Sequence, residues 1–183
     1  MKRSSGILMP IASLPSRYGI GCLDEAAYEF VDQLEKAGQG YWQILPMGPT
    51  GYGDSPYQSF STFAGNPYFI SLSELAKKGY LSEEDLQEYE ASGDNQAVSY
   101  NVLYEKRFPL LRKALEMVFD ALGSLPDSSF DRFREDNQDW LGDYALYMAI
   151  KDSQNGISYL EWDEDIRLRR PEAIEAYKER LAG

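Results

Sequence analysis

The apolar positions of the chain change their spacing along its length. Residues Gly6–Ala12 (Gly-Ile-Leu-Met-Pro-Ile-Ala) are apolar throughout, as expected for a short parallel strand covered on both faces. A loop dense in Ser, Pro and Gly follows over Ser13–Gly21. Asp24 is placed to cap a helix to about Ala37, with Ala27, Phe30, Val31, Leu34 and Ala37 on one face. Gly38 and Gly40 end it. Tyr41–Leu45 (Tyr-Trp-Gln-Ile-Leu) predicts a second strand, stopped by Pro46. Strand, helix and strand with short connections form a βαβ unit, whose strands are parallel.

Past Leu45 the periodicity stops. Residues Pro46–Pro67 hold four prolines and four glycines, together with Tyr52, Tyr57, Phe60 and Phe63. A loop of this length is usually functional, and it leaves the end of a strand where α/β folds place ligands. Helical spacing then takes over. Ser71–Lys78 predicts a short helix ended by Gly79, and Ser82 with Asp85 forms a capping-box pattern. Residues 91–96 form a polar break. Tyr100–Leu122 is expected as one amphipathic segment with Phe108, Leu111, Leu115, Val118 and Leu122 inward, started or kinked at Pro109. A turn is expected at 123–129. Phe130–Ile150 is expected as a helix with Leu141, Tyr144, Ala145 and Met148 inward. Ser153–Ser158 is a loop, and Pro171 opens a last helix on Ile174, Tyr177 and Leu181. The pattern divides the chain into a βαβ part with its loop (1–80) and a mostly helical part (81–183). A two-strand parallel sheet needs its edges and faces covered, so further chain is expected downstream.

With 183 residues the chain is long enough for a packed core but short of the roughly 250 that a complete (β/α)₈ barrel needs. Hydrophobic residues make up 43%, a globular composition. The formal charge of −12 argues against nucleic acid as a partner. No apolar run is long enough for a membrane span or a signal-peptide core, so a cytoplasmic protein is expected. There is one cysteine, Cys22, and no histidine. This excludes an internal disulfide, a Cys–His catalytic pair and a Cys/His zinc site, and makes Cys22 a small buried hydrophobe. No metal or organic cofactor is indicated.

The chemistry concentrates in Gly48-Pro49-Thr50-Gly51-Tyr52-Gly53-Asp54-Ser55-Pro56-Tyr57-Gln58-Ser59. Tyr52 and Tyr57 offer flat apolar faces with polar tips, and Asp54, Ser55, Gln58 and Ser59 offer hydrogen-bond partners. A sugar presents the complement, hydroxyl edges and C–H faces. The same composition also suits a packed surface loop. Retaining glycosyl transfer needs two carboxyl groups roughly 5–5.5 Å apart. Asp54 between Gly53 and Ser55 is expected to bond turn backbone. Asp163–Asp165 is expected as a solvated turn, and Glu83, Glu84 and Asp85 as helix-start charge. Arg3, Arg17 and Arg167/Arg169/Arg170 are possible anion sites, the last beside acids.

Several stretches together resemble the amylomaltase family of 4-α-glucanotransferases. They are Arg3–Gly21, Tyr41–Pro46, Gly48–Ser59, Ala64–Pro67, Tyr100–Phe119 with Leu110-Leu111-Arg112-Lys113-Ala114, and Trp140–Tyr147. The resemblance implies an α/β fold: the first two strands of an incomplete (β/α)₈ TIM barrel with a mostly helical inserted subdomain. It implies cleavage of an α-1,4-glucan, a donor glucan held covalently on an aspartate, and transfer to the 4-hydroxyl of another glucan or glucose. It places Ser55 and Tyr57 along donor-side sugar subsites, makes Tyr52 with Tyr104 an outer stacking position, and has Asp54 shape the loop. The family's nucleophile, acid/base and third essential aspartate belong to motifs that residues 1–183 do not contain. The chain is therefore expected to be an N-terminal portion, inactive alone, with a maltooligosaccharide substrate and the rest of the barrel as its partners. A non-catalytic glucan-binding module and an α-amylase-like hydrolase are the competing readings.

Overall fold

The computed structural model describes residues 3–51, 53–90, 97–122 and 129–181. The side chains of residues 90, 121 and 122 lie outside that description, as do the expected polar break at 91–96 and most of the turn at 123–129. The chain forms two compact units, Met1–Leu125 and Pro126–Gly183.

The first unit begins with β1 (Gly6–Leu8), α1 (Glu25–Lys36) and β2 (Tyr41–Gln43). The strands pair in parallel, with Gly6, Ile7 and Leu8 opposite Tyr41, Trp42 and Gln43. The βαβ expectation holds. Helix α1 starts where the Asp24 carboxylate accepts from the Ala26 N–H at 3.1 Å. It ends in a Schellman arrangement: Gln39 N–H bonds Leu34 C=O and Gly38 N–H bonds Glu35 C=O, both at 2.9 Å. Gly38 sits at φ +67°, a conformation glycine adopts without steric cost.

Two expectations for this part need correction. The apolar run from Gly6 is a strand only as far as Leu8, because Pro10 lacks an N–H and the chain turns into a 3₁₀ segment at Ile11–Ser13. Ile11 is buried, whereas Ile7 and Leu8 are exposed, since the two-stranded sheet has uncovered faces among the described residues. Val31 and Ala37, expected on the inner face of α1, are also exposed; Ala27 and Leu34 are the buried positions. Trp42 secures the contact between helix and sheet. Its ring meets Phe30 edge-on at 5.1 Å, and its Nε1–H donates to Met9 C=O at 2.8 Å.

After the loop and a 3₁₀ turn at Pro67–Phe69 come α2 (Leu72–Lys77) and α3 (Glu83–Glu90). Next are a single turn α4 (Tyr100–Val102), a π-helical turn (Leu103–Arg107) and α5 (Phe108–Leu122). These helices pack with the 18–22 segment around Tyr18, Ile20, Cys22, Tyr68, Leu72, Leu81, Leu86, Tyr89, Leu103 and Ala114. The segment 100–122 is helical as expected, and Pro109 does mark an irregularity, the π turn just before it. Phe108 and Leu111 pack on the core as expected, beside the buried Leu103, Arg107 and Ala114, whereas Leu115 is exposed.

The capping box at α3 is complete. Ser82 Oγ accepts from Asp85 N–H at 3.2 Å, while the Asp85 carboxylate accepts from Ser82 N–H at 3.0 Å. Lys113 from α5 adds a 2.7 Å bond to the same carboxylate. That bond first, then the two from Ser82, hold the Asp85 carboxyl down at about 2. A depressed acid stabilises the fold fully above its unfolded pKa, and the gain is lost as pH falls through about 2. Asp85→Ala is therefore expected to lower stability by about 1 kcal/mol at pH 7. The difference should shrink from about pH 4 downward. Tm measured against pH for both proteins checks this; a gap of equal size at pH 7 and pH 2 would contradict it.

The second unit holds α6 (Ser129–Asp136), α7 (Leu141–Ser153), a 3₁₀ turn (Tyr159–Glu161), α8 (Glu164–Arg167) and α9 (Pro171–Leu181). The single helix expected over Phe130–Ile150 is two helices. Asn137 breaks it: its Nδ2 donates to Phe133 C=O at 2.8 Å, taking the acceptor that a continuing helix would use, and its Oδ1 receives Trp140 Nε1–H. The core is Ile150, Trp162 and Ile166, with Leu146, Tyr147, Ile174, Tyr177 and Leu181 packed on it. The α9 line is as expected. On α7 the inward residues are Leu146, Tyr147 and Ile150; Ala145 is exposed because Trp162 and Ile166 set the buried face.

Candidate functional site

Parallel pairing puts the C-terminal ends of β1 and β2 side by side. The chain leaving β1 (Pro10–Ser13) and the chain leaving β2 (Leu45, Pro46) wall one pocket of about 210 Å³. Ile20, Asp54, Pro56, Asn66, Phe69, Val98 and Tyr100 complete it. A ligand pocket at this end is what α/β topology favours.

The loop that reaches this pocket is built by its own turns. Asn66 N–H donates to Met47 C=O at 2.8 Å and closes the base. Thr50 and Ser59 form an antiparallel bridge, and Gly51 N–H bonds Gln58 C=O at 3.2 Å. Ser55 Oγ accepts from Tyr57 N–H at 3.3 Å, and Ser61 Oγ accepts from Phe63 and Ala64 N–H at 3.1 and 3.0 Å. Asp54 adopts φ +54°, in the left-handed region where Asp is tolerated better than most residues. The Asn66 side chain caps the 3₁₀ turn by accepting from Tyr68 N–H at 2.9 Å.

Asp54 lines the pocket, and burial pushes its carboxyl up. Ser55 is half-buried beside it, and Tyr57 is 72% exposed. Tyr52 lies outside the described residues. Tyr104 is exposed on the π turn, at the end of a chain of ring contacts. Tyr100 meets Tyr68 at 6.0 Å, Tyr68 meets Phe108 at 5.5 Å, and Phe108 meets Tyr104 edge-on at 5.7 Å. Burial first, then the Asp54 charge, pushes the Tyr68 phenol up to about 12. It is protonated at neutral pH and can donate a hydrogen bond.

Arg169 and Arg170 have local acidic partners. Arg170 pairs with Asp165 at 2.6 Å and Glu164 at 3.6 Å, and Arg169 pairs with Asp143 at 2.8 Å. Asp163 precedes α8 as an exposed residue, Arg3 is exposed, and Arg17 lines a separate surface depression with Asp24 and Lys77. Among the described residues no group of three or more Cys, Asp and Glu could hold a metal ion, and no helix is long and apolar enough to cross a membrane. Cys22 is buried as expected, its thiol pushed up by burial and pulled down by Arg107. Four residues not singled out from the sequence matter here: Asn66, Tyr68, Tyr100 and Arg107. Asn66 sits before a proline, a turn signal; the other three fall on no pattern that periodicity can detect.

The described residues thus form a parallel βαβ start followed by helices, with a strand-end loop that presents aromatic rings beside hydroxyls and a carboxylate. The family model described as 4-alpha-glucanotransferase, glycoside hydrolase 77, matches residues 9–183, and the chain belongs to that family. It is 50% identical to a 4-alpha-glucanotransferase of Clostridium butyricum over 94% of this chain and 35% of that protein. It is 49% identical to one of Streptococcus pneumoniae over 99% of this chain and 35% of that protein. The structure of the amylomaltase from Streptococcus agalactiae in complex with acarbose superimposes with a TM-score of 0.87 and 39% identity, covering 99% of this chain and 36% of that one. The chain spans about 35% of the length of the curated relatives it matches.

Proposed function

We propose that this chain is the substrate-gripping portion of a cytoplasmic 4-α-glucanotransferase that moves α-1,4-glucan segments between maltooligosaccharides. The observation that carries the reading is the coincidence of family and place: the loop that most specifically resembles amylomaltases is the one reaching the strand-end pocket. In this reading β1 and β2 are the first two strands of a (β/α)₈ barrel. Residues 1–80 are its βαβ start, and 81–183 belong to a mostly helical insertion.

The chemistry is a double displacement. A carboxylate attacks the anomeric carbon, the departing 4-oxygen takes a proton from an acid, and a glucosyl ester forms. The 4-hydroxyl of an acceptor then attacks the same carbon, gives up its proton to the same group, and releases the carboxylate. Residues 1–183 contribute binding to both steps. Ser55 and Tyr57 line donor-side subsites, Tyr57 by stacking on a C–H face. Tyr52 and Tyr104 hold glucan further out. Asp54 fixes the loop and accepts sugar hydroxyls. The exposure of Tyr57 and Tyr104 supports these roles, because a stacking ring must be reachable.

Incubating the complete gene product with maltotriose is expected to yield glucose together with longer maltooligosaccharides. Hydrolysis alone, without longer products, would remove the transferase reading. An unchanged substrate would favour a binding module. In the same assay Tyr57→Ala is expected to lower kcat/KM about tenfold or more, and Tyr52→Ala less, because stacking on one base or sugar face contributes on the order of 1–3 kcal/mol. Equal losses would contradict the inner and outer assignment.

A further inference from the structure

We infer that Arg107 is a positioning residue for the strand-end pocket, and that it sets glucan affinity by tying together the segments that wall it. This rests on the proposed function. Arg107 is fully buried at 0% exposure. Its Nη1–H donates to Tyr18 C=O at 3.3 Å. Its Nη2–H donates to Ile70 C=O at 2.7 Å and to Cys22 Sγ at 3.1 Å. Tyr18 and Cys22 flank Ile20, which lines the pocket; Ile70 follows Phe69, which lines it from the other side; and the helical segment carrying Arg107 supplies Tyr100. One guanidinium therefore joins three wall segments that are distant in sequence.

The choice of residue argues for more than packing. A buried cation is costly, and an apolar side chain of similar volume would fill the site at lower free energy. The partners include two carbonyls, a thiol and the Tyr89 phenol, none of them a carboxylate, and Nε is buried with no hydrogen-bond partner among the described residues, so the desolvation is only partly offset. What Arg alone supplies is a rigid planar fork that reaches acceptors on separate segments; lysine offers a single mobile point charge. The π turn places this fork. It directs both Leu103 and Arg107 into the core while Tyr104, the next residue after Leu103, stays exposed. The cation that spaces the inner pocket and the outer ring thus sit on the same turn.

The test uses Arg107→Lys and Arg107→Met in the complete gene product, with maltotriose as substrate, well below each variant's Tm. Both are expected to raise KM about tenfold with kcat within about twofold, because a wall out of position weakens ground-state and transition-state binding alike. A residue needed only for folding would lower Tm and leave KM of the folded enzyme unchanged. Should Arg107→Met not fold, Arg107→Lys, which keeps the charge, carries the test. Folded Arg107→Lys with wild-type KM overturns this inference alone. A wild type that leaves maltotriose unchanged overturns the proposed function, and this inference with it.

Discussion

Leu72→Ala is expected to lower the unfolding free energy of the Met1–Leu125 unit by about 3 kcal/mol, near the middle of the range for leucines truncated in a close-packed core. Leu72 has 0% exposure and belongs to the core cluster that joins the 18–22 segment to α3 and α5. The site cannot collapse easily. Leu72 opens α2, and Ser71 fixes that start by accepting from Glu74 N–H at 3.1 Å, so the backbone is held while the side chain is removed. The cavity left behind adds to the lost transfer free energy. The urea midpoint, with the slope unchanged, measures the effect. A loss under about 1 kcal/mol would mean that the neighbours close over the gap and that this core is looser than described.

Gly21→Ala is expected to have a comparable effect, about 3 kcal/mol or loss of soluble protein, for the opposite reason. A Cβ on Gly21 would lie 2.0 Å from Ile11 O, 2.8 Å from Leu14 N and 2.9 Å from Leu14 Cβ. Two of those atoms are backbone, so no rotamer change relieves the clash. Ile11 and Leu14 are themselves buried against α1, and Gly21 N–H is bonded to Ala12 C=O at 3.1 Å. The substitution must push the Ile11–Leu14 turn away from the 20–22 segment. Because Ile11, Ala12 and Ile20 line the strand-end pocket, the proposed function has the complete gene product lose affinity for maltooligosaccharide together with Tm. A Gly21→Ala protein with wild-type Tm would show that the turn shifts freely, and the close approach would then carry no weight.

What the amino-acid order revealed was whatever is written locally. Asp24 and Gly38 bracket α1, Ser82 and Asp85 pair across one turn, and Pro171 opens α9; each depends on contacts within a few residues. The errors arise where distant contacts decide. Apolar spacing points to Leu115, yet the buried position of that turn is its small neighbour Ala114, and Arg107, polar by any scale, is buried one turn before Leu111. The break at Asn137 depends on a side chain competing for a backbone acceptor. The candidate site divides in the same way. The loop carrying Asp54, Ser55 and Tyr57 was legible from composition and from its resemblance to a family. Tyr100, which lines the pocket, and Tyr68 and Arg107, buried behind it, are not legible in the same way, since only tertiary packing brings those residues together.

The bond between Met47 C=O and Asn66 N–H carries a consequence for protein engineering. It anchors residues 48–65 as a cassette whose two ends are fixed by the fold while its interior is folded by its own short-range turns. Chain-closure entropy grows slowly, about 0.6 kcal/mol for each doubling of length, so segments of different length and sequence can be exchanged between these two anchors at small cost. Ligand preference could then be varied by library selection over that cassette while the packing around Leu72 and Arg107 stays as it is.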